Sequence, residues 1–306
     1  MDITRGRSRL SGMDIVCFIC ITLFTLACLL PIVLVVVVSF TDESYLVKEG
    51  YSFFPRELSI AAYEKVFSTN PMRADRYFLG NQLLNSYIVT ILLTLVGTIV
   101  SVLITSMAAY SLSNKQLRFR NGFAFYFVIT MLINTGVVPW YMINRALGLR
   151  NNFAALVVPS LFSPFNMMLV RNYMNGLPEA LRESARIDGA NDFVICFRII
   201  LPLSIAVLAT ITLFYGLGFW NNWFNAIMLV DEDSLYPLQY YLMVIKSQAT
   251  ALNELKKLGI TDTNIVLPSE SLKMATVVVT IGPIVLLYPF LQKYFIQGIV
   301  VGGVKG

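Results

Sequence analysis

Six stretches of this chain run for at least 19 residues without a single Asp, Glu, Lys or Arg: 15–40, 77–114, 121–144, 151–170, 199–230 and 274–292. A helix needs about 20 predominantly apolar residues to cross the hydrocarbon core. A chain in lipid must also satisfy its backbone polar groups internally, which helices do segment by segment. Each run is long enough to span, so the sequence predicts an all-α integral membrane protein with six transmembrane helices. The second and fifth runs are longer than a span needs, and their ends are expected to form loop or interface structure. The stretch 234–245 is uncharged too, but twelve residues with Pro237 inside do not cross. Apolar residues make up 57% of the chain and charged ones 13%, against about 25% charged in a soluble domain. That is too little charge to solvate an ordinary surface. Disordered, collagen, coiled-coil and disulfide-scaffold readings fall with it.

The first run follows Arg5, Arg7 and Arg9, as a signal peptide would, and Thr25-Leu26-Ala27-Cys28 loosely resembles a lipoprotein cleavage site. Twelve more uncharged residues follow Cys28, whereas a signal h-region is about 7–15 residues long. An uncleaved signal-anchor helix is expected. Segments 1–12, 115–120, 171–198 and the tail from 293 hold twelve bases and five acids; segments 41–76, 145–150 and 231–273 hold eleven bases and twelve acids. The second set consists mostly of long loops, where the positive-inside rule loses weight, while bases of the first set crowd the span ends. Both termini are therefore expected in the cytoplasm, in a multi-pass protein of a bacterial cytoplasmic membrane. The net charge of +5 is a topology signal and calls for no nucleic-acid partner.

Absences narrow the chemistry. With no histidine in the chain, Ser-His-Asp catalysis, HExxH zinc sites and histidine proton relays are impossible. Cys17 and Cys20 sit three apart in a stretch that hydrocarbon would surround, with Cys28 nearby and Cys196 remote. Such cysteines read as small apolar filler, because a redox or metal pair needs a polar, accessible setting. No catalytic residue, metal site or cofactor is expected. No ionisable side chain falls mid-membrane, which disfavours an ion-coupled transporter, and a membrane-embedded enzyme lacks a catalytic constellation. Gly is never followed by Lys, so the chain has no P-loop. Energy for transport would come from outside it.

The most informative loop is 171–192, between the fourth and fifth runs. Pro178 suits a first helical turn, and Glu179 favours the positive end of the helix dipole. Good helix formers follow, and Gly189 allows a left-handed turn. A second short element from Phe193 returns to the membrane, with Pro202 at the start of span five. Two short helices on the surface are expected, with acids and arginines exposed between them. Over 171–198 four bases, four acids and a weak apolar face fit a protein partner better than an interfacial membrane helix, with Glu183 and Asp188 available to arginines.

Glu183-Ser184-Ala185, then Gly189, Ile199, Leu201 and Pro202 at fixed spacing resemble the EAA loop of ABC-importer permeases, with Ser184 the one departure from the pattern. Asp188-Gly189-Ala190 is similar to the carbohydrate branch, the maltose-type second permease. Asn85-Ser86, Ala108-Ala109-Tyr110, Trp220-Asn221-Asn222 and the ending from Tyr288 to Gly306 extend the likeness, which is closest to the LplC-type permeases. The resemblance implies a type I ABC importer permease fold with a cytoplasmic EAA coupling helix. One transmembrane permease domain would span 1–306: an anchor helix and outer segment over 1–76, a permease core over 77–296, and a cytoplasmic tail over 297–306. It also implies the partners: a second permease subunit, two ATP-binding subunits, an extracytoplasmic solute-binding protein, and a sugar or oligosaccharide substrate. Glu183, Ser184, Ala185, Asp188, Gly189 and Ala190 would form the ATPase-coupling element, and Ile199, Leu201 and Pro202 would fix it to span five. The tail 302–306 would reach toward the ATPase interface. A homodimeric importer permease for phosphate esters, amino acids or peptides is the nearest rival.

Sugar recognition combines aromatic faces with amide and hydroxyl groups. Trp220, Asn221, Asn222, Trp223 and Asn225 supply that mixture, with Asn134, Trp140 and Tyr141 opposite them. The plainer alternative is an interface belt with interhelical amide bonds. The resemblance assigns most sugar contacts to the other permease, leaving this chain chiefly gate and coupling. Segment 58–67 reads as a short amphipathic helix, at the membrane surface or against the partner permease. Segment 251–271 reads equally as a docking site for the binding protein or a variable outer loop.

Overall fold

A computed structural model describes residues 12–55, 57–67, 80–133, 135–258 and 270–282. Among them every regular element is helical, apart from an isolated antiparallel bridge between Thr41 and Leu58. The helices are α1 (Gly12–Ser39), α2 (Glu43–Glu49), α3 (Ala61–Phe67), α4 (Gln82–Ser113), α5 (Arg120–Leu132), α6 (Val137–Ala146) and α7 (Phe153–Val157). They continue as α8 (Pro164–Asn175), α9 (Ala180–Ile187), α10 (Asp192–Val194), α11 (Leu201–Leu203), α12 (Ile205–Trp220), α13 (Phe224–Leu229) and α14 (Leu238–Lys257). A last helix, α15, occupies 270–282. The chain divides into two units, one holding residues up to Val66 with Ile245–Ile281, the other Phe67–Val244 with Gly282.

In the larger unit α4 is the central element. Asn81 caps its start, its Oδ1 accepting from Leu83 N at 2.8 Å and Leu84 N at 3.3 Å. Gly97, Ser101, Thr105 and Ala109 recur every four residues and are all buried, a stripe of small side chains that lets another helix approach closely. The partner is chiefly α12, and then α8. The approach is tightest at Gly97, where an added Cβ would lie 2.7 Å from the Phe219 ring. The Tyr215 hydroxyl ties three helices together, sharing a 2.7 Å hydrogen bond with Thr105 Oγ1 and accepting from Ser163 N at 2.9 Å.

Only α1 and α4 are unbroken helices long and apolar enough to cross a membrane; three bent pairs raise the count to five among the described residues. The third run is interrupted between Leu132 and Val137, behind Gly136 at φ +80°. The fourth bends by 49° between Ser160 and Pro164, where Pro159 and Pro164 cannot donate to a helical ladder. Asn152 and Ser163 cap the two pieces, their side chains accepting from Ala155 N and Asn166 N. The fifth bends by 84° at Ser204. The sixth run begins in α15, and from residue 283 it lies outside the described residues, as does the tail 302–306.

In the smaller unit, α1 exposes nearly all its side chains, with only Val38 and Ser39 buried, as suits a helix that meets lipid. Cys17, Cys20 and Cys28 are exposed on it as free thiols. Its end is held by a local clasp: Asp42 N bonds Glu57 O at 3.1 Å and Ser59 N bonds Phe40 O at 2.8 Å. Tyr63 of α3 stacks on Phe40 at 4.8 Å and bonds Ser39 Oγ at 2.7 Å. The helix expected over 58–67 thus starts at Ala61, because Leu58 is taken by the bridge to Thr41. The Glu43 carboxylate accepts from Glu270 N and Ser271 N, each at 3.1 Å, and from Ser271 Oγ at 2.9 Å. It thereby caps α15 from 227 residues away. Burial pushes the Glu270 carboxyl up, but Lys273 and the Tyr51 hydroxyl outweigh it and hold it below its ordinary value.

Candidate functional site

The loop that carries the EAA pattern folds as α9. Backbone bonds from Arg182 N and Glu183 N to Glu179 O, at 2.8 and 3.1 Å, start it behind Pro178. Gly189 ends it at φ +80°. Gly189 N donates to Arg186 O at 3.0 Å and Ala190 N to Ala185 O at 2.9 Å, the paired closure of a Schellman motif. An added Cβ at Gly189 would meet nothing within 4 Å. The glycine is therefore required by backbone conformation and not by space.

The helix has two faces of opposite character. Arg182 and Ala185 point into the protein, 3% and 6% exposed. Glu183, Ser184, Ile187 and Asp188 face outward, with Ile187 86% exposed. Among the described residues no ion pair engages Glu183 or Asp188. Phe193 beyond the turn is also exposed, its ring tilted against that of Phe197 at 4.5 Å. The outward face thus offers two free carboxylates beside two apolar side chains, a composition suited to a protein surface carrying a base.

The expectation that the loop's arginines are exposed is corrected for Arg182. Its guanidinium donates through Nη1 to Ser113 O at 3.0 Å and through Nη2 to Ser113 Oγ at 2.8 Å. It also lies 5.5 Å over the Tyr110 ring. Arg171 on α8 adds a bond from Nε to Leu112 O at 3.1 Å. Two arginines therefore occupy carbonyls at the C-terminus of α4, the negative end of its dipole. Asp192 accepts from the Tyr110 hydroxyl at 3.1 Å and pairs with Arg186 at 3.0 Å. Lys115 and Glu179 pair at 3.3 Å, a mostly exposed contact worth about 0–1 kcal/mol.

Beyond α9 the Asn191 side chain accepts from Val194 N at 2.9 Å and starts α10. A π-helical turn over Ile195–Ile200 follows, closed by Leu201 N donating to Cys196 O. Pro202 stands just behind this turn; the wider ladder and the missing N–H belong to one kink. Ile199 and Leu201 pack against the main core, whereas Pro202 is exposed.

The Trp220–Asn225 group is divided. Trp220, Asn222 and Asn225 are buried. Asn222 Nδ2 and Asn225 Nδ2 both donate to Leu156 O, at 3.0 and 3.1 Å, and Asn225 Nδ2 also reaches Ser160 Oγ at 2.9 Å. That carbonyl lies where α7 gives way to a 310 turn over Val158–Ser160. Asn221 is exposed and bonds its own helix at Leu217 O, 2.9 Å away. Trp223 is 46% exposed. Trp140 and Tyr141 pack with Leu149, Ala155 and Leu229, and Trp140 lies 5.1 Å from Phe224. Asn134 lies outside the described residues. The sequence pattern alone does not single out Arg182 or Tyr215. Tyr215 leaves no signal, being one aromatic in an apolar run, while Arg182 stands three residues before Ala185 on the inward face of a short amphipathic helix.

Exposed carboxylates thus stand on a short helix that joins two parts of a helical membrane protein. Residues 101–301 match the family of the binding-protein-dependent transport system inner membrane component, and the chain belongs to that family, the permeases of ABC transporters. It is a transport subunit and not an enzyme, and the resemblance to carbohydrate ABC-importer permeases holds. The chain is 34% identical over 301 residues to the polygalacturonan/rhamnogalacturonan transport system permease protein YtcP of Bacillus subtilis, covering 98% of this chain and 100% of that one. It is 36% identical to protein LplC of the same organism over 91% of this chain and 90% of that one. A solved structure of a bacterial ABC transporter involved in the import of the acidic polysaccharide alginate contains a chain 31% identical. The match has a TM-score of 0.79 and covers 94% of this chain and 99% of that one.

Proposed function

We propose that this permease imports an oligosaccharide, with acidic sugars the first class to test, as one transmembrane domain paired with a second, different permease. Two cytoplasmic ATP-binding subunits would drive the pair and an extracytoplasmic binding protein would load it. The substrates named for the relatives, a polygalacturonan or rhamnogalacturonan, arabinooligosaccharides and alginate, support a carbohydrate over a phosphate ester, amino acid or peptide. Both termini would lie in the cytoplasm, which puts α9 on the side of the ATPases.

The observation that carries the coupling role is the two-faced α9: Glu183 and Asp188 outward, Arg182 and Ala185 fixed beneath. In this reading Glu183 meets a base of the ATPase and Ser184, Ala185, Gly189 and Ala190 shape the turn that seats there. Ile199, Leu201 and Pro202 join it to α12. Asn221 and Trp223 face the pathway, and Trp220, Asn222, Asn225 and Tyr141 form the wall behind them, with Asn134 kept as a pathway residue to test. The test is to purify the tagged chain in mild detergent and identify its companions by mass spectrometry. Its binding protein is then titrated with oligogalacturonides, alginate oligosaccharides and neutral arabino-oligosaccharides. Recovery of a second permease and a P-loop ATPase, with an acidic sugar bound, supports the proposal. A chain recovered alone, or with copies of itself only, overturns the pairing, and binding of neutral sugars alone overturns the acidic class.

A further inference from the structure

Besides the chain that leads back to α8, a force applied to α9 has two ways into the bundle. Along the chain it passes through Asp192–Leu203, a segment holding a π-helical turn and ending in an 84° bend. Such a segment departs from the regular helical ladder at the π-turn and again at the bend. The second way crosses directly from α9 to α4 through Arg182. The guanidinium is 3% exposed, and its bonds to Ser113 O and Ser113 Oγ are 3.0 and 2.8 Å long. Among the described residues no carboxylate lies within ion-pair distance of it. Its charge is answered by the carbonyl end of α4 and by the Tyr110 ring. Tyr110 in turn bonds Asp192, the residue that pairs with Arg186 on α9. Pulling α9 away from α4 would strand a buried cation, so the two segments are held to move together.

We infer that Arg182 is a positioning residue for transport: it makes α9 and the end of α4 one mechanical body, so that displacement of α9 is delivered to the central helix of the bundle. The inference rests on the coupling role proposed for α9. Coupling between sites is reciprocal for binding. If nucleotide-bound closure must move α4, then α4 in turn opposes the closed, nucleotide-bound state, and with it the hydrolysis that follows closure. Severing the link frees the ATPase.

The experiment uses the tagged chain with the subunits that accompany it, reconstituted in lipid nanodiscs, and follows ATP hydrolysis with no transported solute. Arg182→Met is expected to raise hydrolysis about fivefold or more at equal ATPase content. Arg182→Lys, which keeps the charge but not the planar fork that makes two bonds and covers the Tyr110 ring, is expected to reverse part of that gain. A merely structural role would lower hydrolysis through lost assembly and would not produce a gain that lysine partly reverses. An Arg182→Met complex of unchanged composition that hydrolyses ATP at the native rate overturns the inference. If that variant sheds its ATPase subunits, Ser113→Ala decides, since it removes only the hydroxyl acceptor: a raised rate supports the link and an unchanged one overturns it. Glu183→Lys separates the two levels. A Glu183→Lys complex that keeps its ATPase removes the coupling role of α9 and this inference with it. Loss of the ATPase in Glu183→Lys alone upholds that role, and the Arg182 variants then decide the link.

Discussion

The loop at α9 and the Trp220–Asn225 segment look alike as sequence, each a cluster of polar and aromatic side chains interrupting apolar runs. Their folded forms are opposites. Around α9 the carboxylates of Glu183 and Asp188 face outward with no ion pair among the described residues, and a buried arginine fixes the underside. Around Trp220–Asn225 the amides turn inward, and two of them converge on the Leu156 carbonyl. A charge is too costly to bury without a partner, so Glu183 and Asp188 stay outside and wait for one. An amide in a membrane bundle finds a broken helix to repair. The same polarity therefore makes an exposed charged face in one place and a structural bond in the other.

Reversing the charge at the first region is the strongest way to break this contrast. Glu183→Lys is expected to abolish uptake and association with the ATPase while leaving the chain inserted, read by pull-down and membrane fractionation. Normal uptake would remove the docking face. Gly189→Ala sharpens the same point: left-handed φ costs about 1–2 kcal/mol for a residue with a Cβ. Weakened association with unchanged thermal stability of the bundle is expected. In the second region the order reverses. Asn225→Leu should lower the detergent melting temperature, corresponding to about 1 kcal/mol for a lost interhelical bond, whereas Asn221→Ala should leave it unchanged. Equal effects would mean that Asn225 is not the structural member. The smallest effect is expected at Glu270, whose carboxyl is held below its ordinary 4.5. Its contribution is complete above that value and is lost as pH falls through the lower folded pKa. The protection factor of the amides at the start of α15, with the intrinsic pH dependence of exchange divided out, should thus be flat from neutral pH to about 5 and fall only below 4.5.

Much of α9 was legible in the sequence because its constraints are local. Pro178, Glu179 and Gly189 act on their own turns, and the structure puts the helix start and the left-handed residue where they indicate. The burial of Arg182 was not legible, since it depends on Ser113, 69 residues away. Charge-free runs revealed that the chain enters the membrane but not whether each crossing is continuous. Pro159, Pro164 and Pro202 were visible, yet a proline in a membrane helix is tolerated when neighbours repair the ladder. Whether Tyr215 supplies that repair is a tertiary fact. The direction of Asn222 and Asn225 was hidden for the same reason, because an amide reads identically whether it faces a solute or a carbonyl.

The bond from Glu43 to the start of α15 sets an order of events during synthesis. Glu43 leaves the ribosome long before Glu270 and Ser271, and 227 residues separate the partners. Each doubling of such a loop adds only about 0.6 kcal/mol to its closure, so the distance itself is no obstacle. The consequence is a wait: the acceptor stands ready at the end of the first span while the intervening helices are made. Only a chain extended past residue 271 can close it. An incomplete chain therefore displays an unfilled carboxylate beside its first helix.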